Sequence, residues 1–141
     1  MTIETIPDLA LLKIFDFYLH GEEIEAWHAL VHVCQKWRIL VFGSPRRLDL
    51  RLLFTHSTPA RKLLIWPQFP IIISTDGRGS NGVWHMNHTD NLIAALEHND
   101  RICELDINIV FSSILDGLFP SLQQPFPALT RVKLHHISQI P

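Results

Sequence analysis

The apolar positions of this chain change from helical to strand spacing about a third of the way along. From Pro7 to Leu19 they recur every three or four residues and cover more than half of the helical surface. Such a wide apolar stripe predicts a helix with contacts on two sides. Pro7 suits the first helical turn, where its missing N–H loses no hydrogen bond, and Gly21 is a signal for the end of this helix.

Two further helices are predicted before residue 45. A helical stripe runs from Ile24 to Cys34, and it continues through Trp37 to Val41. The glycine and proline within residues 43–47 are strong stop signals. A three-helix piece this small cannot enclose so many apolar side chains by itself, so we expect it to share them with a partner or an adjoining lobe.

The second part of the chain has the pattern of alternating strands and helices. Leu48, Leu50 and Leu52 alternate with polar residues, which predicts a strand, and FPIIIS at 69–74 is a second candidate strand. The later segments are a helix at 89–99, a strand at 101–107, a weaker helix at 112–123 that Gly117 and Pro120 interrupt, and a strand at 128–134.

Two of these strands have the same pattern of apolar positions. The pattern of ICELDI, which begins at Ile102, recurs 27 residues later in LTRVKL, which begins at Leu129. A strand-plus-helix unit repeated at about 20–29 residues is typical of leucine-rich-repeat stacking, in which neighbouring units bury each other's apolar faces. Two unrelated strands of an α/β domain are the alternative. We therefore expect an α+β fold or α/β repeat, with a three-helix domain at 1–47 and an incomplete strand–helix lobe at 48–141.

A glycine-rich stretch raises the possibility of a nucleotide site. Gly77, Gly79 and Gly82 have the G-x-G-x-x-G spacing of dinucleotide-binding loops. In that motif the last glycine lies in the first turn of a helix, but the helix predicted here starts at Thr89, seven residues after Gly82. Residues 76–88 are therefore interpreted as a loop, and a small α/β nucleotide-binding enzyme is the alternative.

Charge and composition narrow the classes of partner. With 12 lysines and arginines against 14 aspartates and glutamates, the formal net charge is −2, and basic residues are adjacent only in pairs such as Arg46-Arg47. This balance is not that of a nucleic-acid or membrane-surface protein. Cys34 and Cys103 are too few for a disulfide framework and are expected to be buried thiols. Since no signal peptide or membrane-length apolar run is found, we expect an intracellular protein of the cytoplasm or nucleus.

No arrangement of residues predicts catalysis. His28 and His32 lie one helical turn apart, but Ala29 stands where the metalloprotease motif requires glutamate. The serines lack the sequence context of a nucleophile elbow. We therefore expect a protein that is not an enzyme and that holds no metal or cofactor.

The order of residues in the three predicted helices resembles an F-box, over roughly residues 5–52. The family opens with Leu-Pro, and this chain has Ile6-Pro7. LLKIF at 11–15 matches the leucine-rich first helix, and VCQKW at 33–37 matches the Val-Cys-x-x-Trp of the closing helix. The following FGSPRRLDLRL looks like the variant common among fungal F-box proteins, where it leads into leucine-rich repeats.

The resemblance implies that the F-box domain at 1–47 docks onto the Skp-type adaptor of a cullin–RING ubiquitin ligase. The repeat region would then present a target protein, and a truncated F-box product that binds only the adaptor is an alternative. The implied adaptor-binding residues are Ile6, Pro7, Leu9, Leu11, Leu12, Ile14, Phe15, Leu30, Val33, Cys34 and Trp37. Within this set, Phe15 and Trp37 are expected mainly in the internal core. The adaptor face is expected to consist of Pro7, Leu11, Leu12 and Ile14.

Overall fold

The computed structural model describes the residues 5–55, 58–74, 89–109 and 112–136. Six helices and four strands lie within these ranges. The helices are α1 Asp8–Leu19, α2 Trp27–Val31, α3 Gln35–Phe42, α4 Lys62–Ile65, α5 Thr89–Leu96 and α6 Ser112–Leu122. The strands are β1 Leu52–Phe54, β2 Ile71–Ser74, β3 Ile102–Ile109 and β4 Arg131–His136.

The chain divides into two compact units, Met1–Arg51 and Leu52–Pro141. The first, the helical unit, contains α1 to α3, and the second, the sheet unit, contains all four described strands with α4 to α6. The combination of helices with a small parallel sheet agrees with the predicted α+β class. No helix in the described ranges combines the length and the hydropathy that crossing a membrane requires.

Helix α1 is confirmed, and the second predicted helix is shorter than expected. α1 ends before Gly21, whose positive φ of 81° suits a residue without a side chain. The stripe from Ile24 to Cys34 predicts one helix, but α2 covers only Trp27–Val31. The residues just before α2 form turns whose backbone hydrogen bonds join residues three apart. The backbone of Cys34, just before α3, is extended. The helical spacing of apolar residues in this segment therefore comes from successive short turns that each bury a side chain, and not from one continuous helix.

The core of the helical unit is built around aromatic rings. Phe15 is fully buried and meets Trp37 edge to face, with ring centroids 4.8 Å apart. Trp27 is almost fully buried and meets Phe42 edge to face, with ring centroids 5.9 Å apart. The Trp27 Nε1–H group donates a hydrogen bond to the carbonyl oxygen of Arg51 at 3.0 Å. These contacts fix α1 and α2 against α3 and the segment that ends the unit.

The alternating leucines after the third helix do not begin a strand. Leu48 and Leu50 are buried, but β1 starts only at Leu52. The backbone N–H of Leu50 donates to the carbonyl of Pro45 at 2.9 Å, and Asp49 has a φ of 51°. The strand prediction at 48–51 is therefore wrong, because a tight turn with one residue in the left-handed region also buries every second side chain.

The strands of the sheet unit form one parallel sheet in the order β1-β2-β3-β4. The predictions for β2, β3, β4 and α5 are confirmed, with ends that differ by a few residues. Sequential order means that each strand lies beside its successor in the chain, after a crossover containing one of the helices α4, α5 or α6. The helix α5 starts at Thr89 as predicted, whereas the predicted loop at 76–88 lies outside the described residues.

The 27-residue correspondence found in the sequence is the register of two neighbouring strands. Leu105 pairs with Val132, and Ile107 pairs with Leu134. Elsewhere the spacing between partners differs, since Leu52 pairs with Ile71 nearby in the chain. The strands thus stack in sequence without a constant repeat length.

The apolar interior of the sheet unit follows one row across the sheet. Phe54 and Ile73 are fully buried register partners, and Ile73 pairs with the buried Leu105. The helices contribute the buried side chains of Leu63, Leu92, Ala95, Leu96 and Leu118. Since each crossover covers this row with apolar side chains, the core extends along the sheet from β1 to β3.

Helix α6 is not interrupted as its sequence suggests. It runs from Ser112 to Leu122 with Pro120 inside it. The missing N–H of Pro120 removes one intrahelical hydrogen bond, and only two residues of the helix follow it. The fully buried Leu118 holds the same turn against the core. The predicted interruption at Gly117 and Pro120 is therefore wrong, because burial outweighs the local preference for a break.

Candidate docking surface

Helix α1 has apolar residues on two sides, as the width of its stripe predicts. The buried side carries Leu11, Leu12 and Phe15. A second side, adjoining the first, carries Ile14, Phe17 and Tyr18, which are 52%, 87% and 44% exposed and which we call the outer stripe. Because these three residues are spaced three and four apart, they form one continuous surface along the helix.

Charges of both signs surround the outer stripe. An open hollow beside it is also lined by Lys13, Asp16, His20 and Glu22. A continuous apolar surface with a mixed polar rim is the usual composition of a protein–protein interface. The same hollow offers no concentration of one charge that would select an anionic polymer or membrane.

The start of α1 lies beside the start of α3. The Lys36 ammonium donates a hydrogen bond to the carbonyl oxygen of Ile6 at 3.2 Å and lies 3.8 Å from the Asp8 carboxylate. A second hollow at this junction is lined by Asp8, Cys34, Gln35, Lys36, Ile39 and Leu40. We call this hollow, with the exposed side chain of Ile39 in its lining, the α3 surface.

The predicted site residues fall into three environments. Four of them are buried, namely Leu11, Leu12, Phe15 and Leu30. Four are exposed, namely Pro7, Leu9, Ile14 and Val33, and three are half-buried, namely Ile6, Cys34 and Trp37. In this structure only the exposed and half-buried residues offer surface to another protein, so Leu11 and Leu12 support the fold rather than the surface.

The exposed members of the set do not form a single patch. Lys36 links the segment around Ile6 with the α3 surface, which brings Cys34 near the start of α1. Ile14 belongs to the outer stripe, about 140° around α1 from Leu9 at roughly 100° per residue. The helical unit therefore presents two separate apolar surfaces, the outer stripe on α1 and the α3 surface.

Sequence reasoning missed three exposed residues of these surfaces. Phe17 and Tyr18 complete the outer stripe, and Ile39, which is 65% exposed, lies on the α3 surface. None of the three is among the motif residues at 6–7, 11–15 and 33–37 that carry the family resemblance. The signal that could have found Phe17 and Tyr18 is the excess width of the apolar stripe on α1, since one buried side leaves the other side available.

The strands β3 and β4 carry charged residues on the face opposite the apolar row, and we call this part of the sheet the polar face. Glu104 on β3 pairs in register with Arg131 on β4, and their Oε1 and Nη1 atoms are 4.0 Å apart. Asp106 likewise pairs with Lys133. Acidic residues on β3 thus lie beside basic residues on β4 across the sheet.

The described residues contain no group of three or more histidine, cysteine, aspartate or glutamate side chains placed to hold a metal ion.

Gly77, Gly79 and Gly82 lie outside the described ranges. Dinucleotide-binding sheets bind their ligand where the strand order reverses. The four described strands follow chain order without such a reversal. The order of the described strands therefore gives no support to the nucleotide-binding alternative.

Comparisons with protein-family models, with curated proteins and with solved structures find no match to this chain. The F-box resemblance of residues 5–52 therefore stays a prediction from its own motif residues. The two apolar surfaces of the helical unit are the features on which a functional proposal can rest.

Proposed function

We propose that this chain is a non-catalytic substrate receptor of a cullin–RING ubiquitin ligase. In this proposal the helical unit binds a Skp-type adaptor and the sheet unit holds a target protein. Ubiquitin transfer belongs to the other subunits of the ligase. The chain acts by raising the effective concentration of the target near the conjugating enzyme, which requires no cofactor or metal.

The exposed apolar side chains of the helical unit are the observation that carries this proposal. Ile14 and Phe17 are 52% and 87% exposed beside each other on the outer stripe, and Ile39 is 65% exposed on the α3 surface, although the unit has a core of its own. Soluble domains seldom leave clustered large apolar residues in water unless another molecule covers them. The mixed charges around both surfaces favour a protein as that molecule.

The motif residues support the choice of an adaptor as the partner. The pattern that resembles an F-box supplies both the internal pair Phe15–Trp37 and the exposed residues Ile14 and Val33. A motif that only maintained a fold would place its apolar residues inside. Here the same short pattern serves a core and a surface, which is what a domain that folds and then docks requires.

The test compares exposed residues of the helical unit with an exposed residue of the sheet unit. Ile14→Asp and Leu9→Asp each place a charge at an exposed residue proposed to bind the adaptor, so we expect each to weaken binding of purified Skp-type adaptor at least tenfold. A tenfold loss corresponds to about 1.4 kcal/mol, more than most interface residues contribute when they are truncated. Affinity is measured by surface plasmon resonance with the full chain immobilised.

Leu64→Asp is the matched control, because Leu64 is 73% exposed on α4 in the sheet unit. We expect it to bind the adaptor as tightly as the unchanged chain does. Circular dichroism confirms that all three variants keep their helices. Equal binding by Ile14→Asp, Leu9→Asp and Leu64→Asp would contradict the proposal.

A further inference from the structure

Strand β4 is an edge of the sheet in the part of the chain that the structure describes. It pairs with β3 on one side, and no described strand lies on its other side. The side chains from Arg131 to Leu134 are exposed, with Val132 at 49% and Leu134 at 51%. An edge of this kind presents backbone donors and acceptors that can pair with another extended chain.

The side chains of β4 alternate between basic and apolar. Arg131 and Lys133 lie on the polar face of the sheet, whereas Val132 and Leu134 continue the apolar row that begins on β1. Strand β3 matches this alternation with an acidic residue beside each basic one and an apolar residue beside each apolar one. The alternation of acidic and apolar residues on β3 is therefore the pattern that we expect in a strand paired with the outer edge of β4.

A second copy of β4 does not satisfy this pattern. Two β4 strands paired edge to edge would bring Arg131 and Lys133 of both copies onto the same face. Like charges directly opposite each other destabilise a strand pair. A strand with acidic residues at the same spacing removes this repulsion and adds two opposite-charge pairs.

We infer that the outer edge of β4 binds an extended segment of a partner protein in which acidic and apolar residues alternate. The segment adds a strand to the sheet, so that main-chain hydrogen bonds give affinity and alternate side chains give specificity. Its acidic residues lie beside Arg131 and Lys133, and its apolar residues cover Val132 and Leu134. The inference goes beyond adaptor docking, and if both hold, the segment belongs to the target protein.

The test uses the full chain and two fluorescein-labelled synthetic peptides of roughly eight residues, the usual length of a strand. One peptide repeats Glu-Leu-Asp-Ile and the other repeats Lys-Leu-Lys-Ile. Fluorescence anisotropy is expected to show at least tenfold tighter binding of the acidic peptide, and the difference should shrink as salt is raised. Hydrogen exchange of the β4 amides should slow when the acidic peptide is bound.

Two charge-neutralising variants make the test specific, because glutamine places no like charge opposite Glu104 and Asp106 on β3. Arg131→Gln/Lys133→Gln should remove most of the preference for the acidic peptide while leaving adaptor binding unchanged, which separates this inference from the proposed function. Arg46→Gln/Arg47→Gln changes two exposed basic residues of the helical unit and should leave the peptide preference as it is. Equal binding of both peptides to the unchanged chain, or an unchanged preference after neutralisation on β4, would overturn the inference. So would sedimentation that shows self-association through β4.

Discussion

Leu12 and Ile14 are two positions apart on α1 and have opposite environments. Leu12 is 8% exposed, whereas Ile14 is 52% exposed on the outer stripe. Both belong to the apolar pattern that resembles an F-box, so the pattern alone assigned them the same role. Leu12 therefore contributes to the folding of the helical unit, whereas the proposed contribution of Ile14 is to binding.

Truncation of these two residues should affect stability unequally. Leu12→Ala removes buried methyl groups, and we expect the free energy of unfolding to fall by about 2–5 kcal/mol. Ile14→Ala removes exposed atoms and should change it by less than about 1 kcal/mol. Urea unfolding followed by circular dichroism measures both. A loss for Ile14→Ala as large as that for Leu12→Ala would mean that the outer stripe is part of the core.

Arg101 connects three parts of the sheet unit through one side chain. Its Nε and Nη2 atoms donate to the carbonyl of Phe69 at 3.2 Å, and its Nη1 atom donates to the carbonyl of Leu63 at 3.3 Å. Burial lowers the pKa of the Arg101 guanidinium, and burial followed by the charge of Arg101 lowers the pKa of His98. The side chain thus ties the start of β3 to α4 and to the segment before β2.

Arg101→Lys is expected to destabilise the sheet unit although the charge is kept. A lysine ammonium cannot reproduce the planar fork that reaches two carbonyl groups, so at least one carbonyl loses its partner. The expected loss is about 1–3 kcal/mol in the free energy of unfolding, measured by urea titration. Arg61→Lys, at an exposed residue of the same unit, is the matched control and should have little effect. Similar stability of the two variants would show that the fork is not required.

At the scale of elements, hydrophobic spacing predicted most of the fold because burial has a simple period in long segments. β3 and α5 have apolar residues on one side and were found from that period alone. The pattern failed at Leu48 and Leu50, because a turn containing Asp49 buries alternate residues as a strand does. It also failed at Pro120, where the contacts of Leu118 maintain the helix.

The candidate site was predicted only in part, because sequence spacing identifies apolar residues without saying which of them stay exposed. The motif residues Phe15 and Leu30 are buried, whereas Leu9 and Val33 are not. Exposure depends on how α1 packs against α3, and that packing is set by aromatic contacts between residues distant in sequence. Phe17 was missed for the same reason.

At the scale of the whole molecule, the two units have different surfaces. The helical unit exposes apolar residues from helices, among them Phe17 and Ile39, and β4, where basic and apolar residues alternate, is an edge of the sheet within the described residues. Helical surfaces of the first kind suit a preformed partner, whereas an edge strand suits an extended segment. This difference is consistent with the proposal that the two units bind different partners.

The most direct test of this account is isothermal titration calorimetry of the full chain with a purified Skp-type adaptor at several temperatures. We expect a complex of one chain with one adaptor and a binding enthalpy that becomes more negative as temperature rises, because covering the apolar surfaces of the helical unit gives a negative heat-capacity change. A folded chain that yields no binding heat at any temperature, and that stays separate from the adaptor in sedimentation, would contradict it.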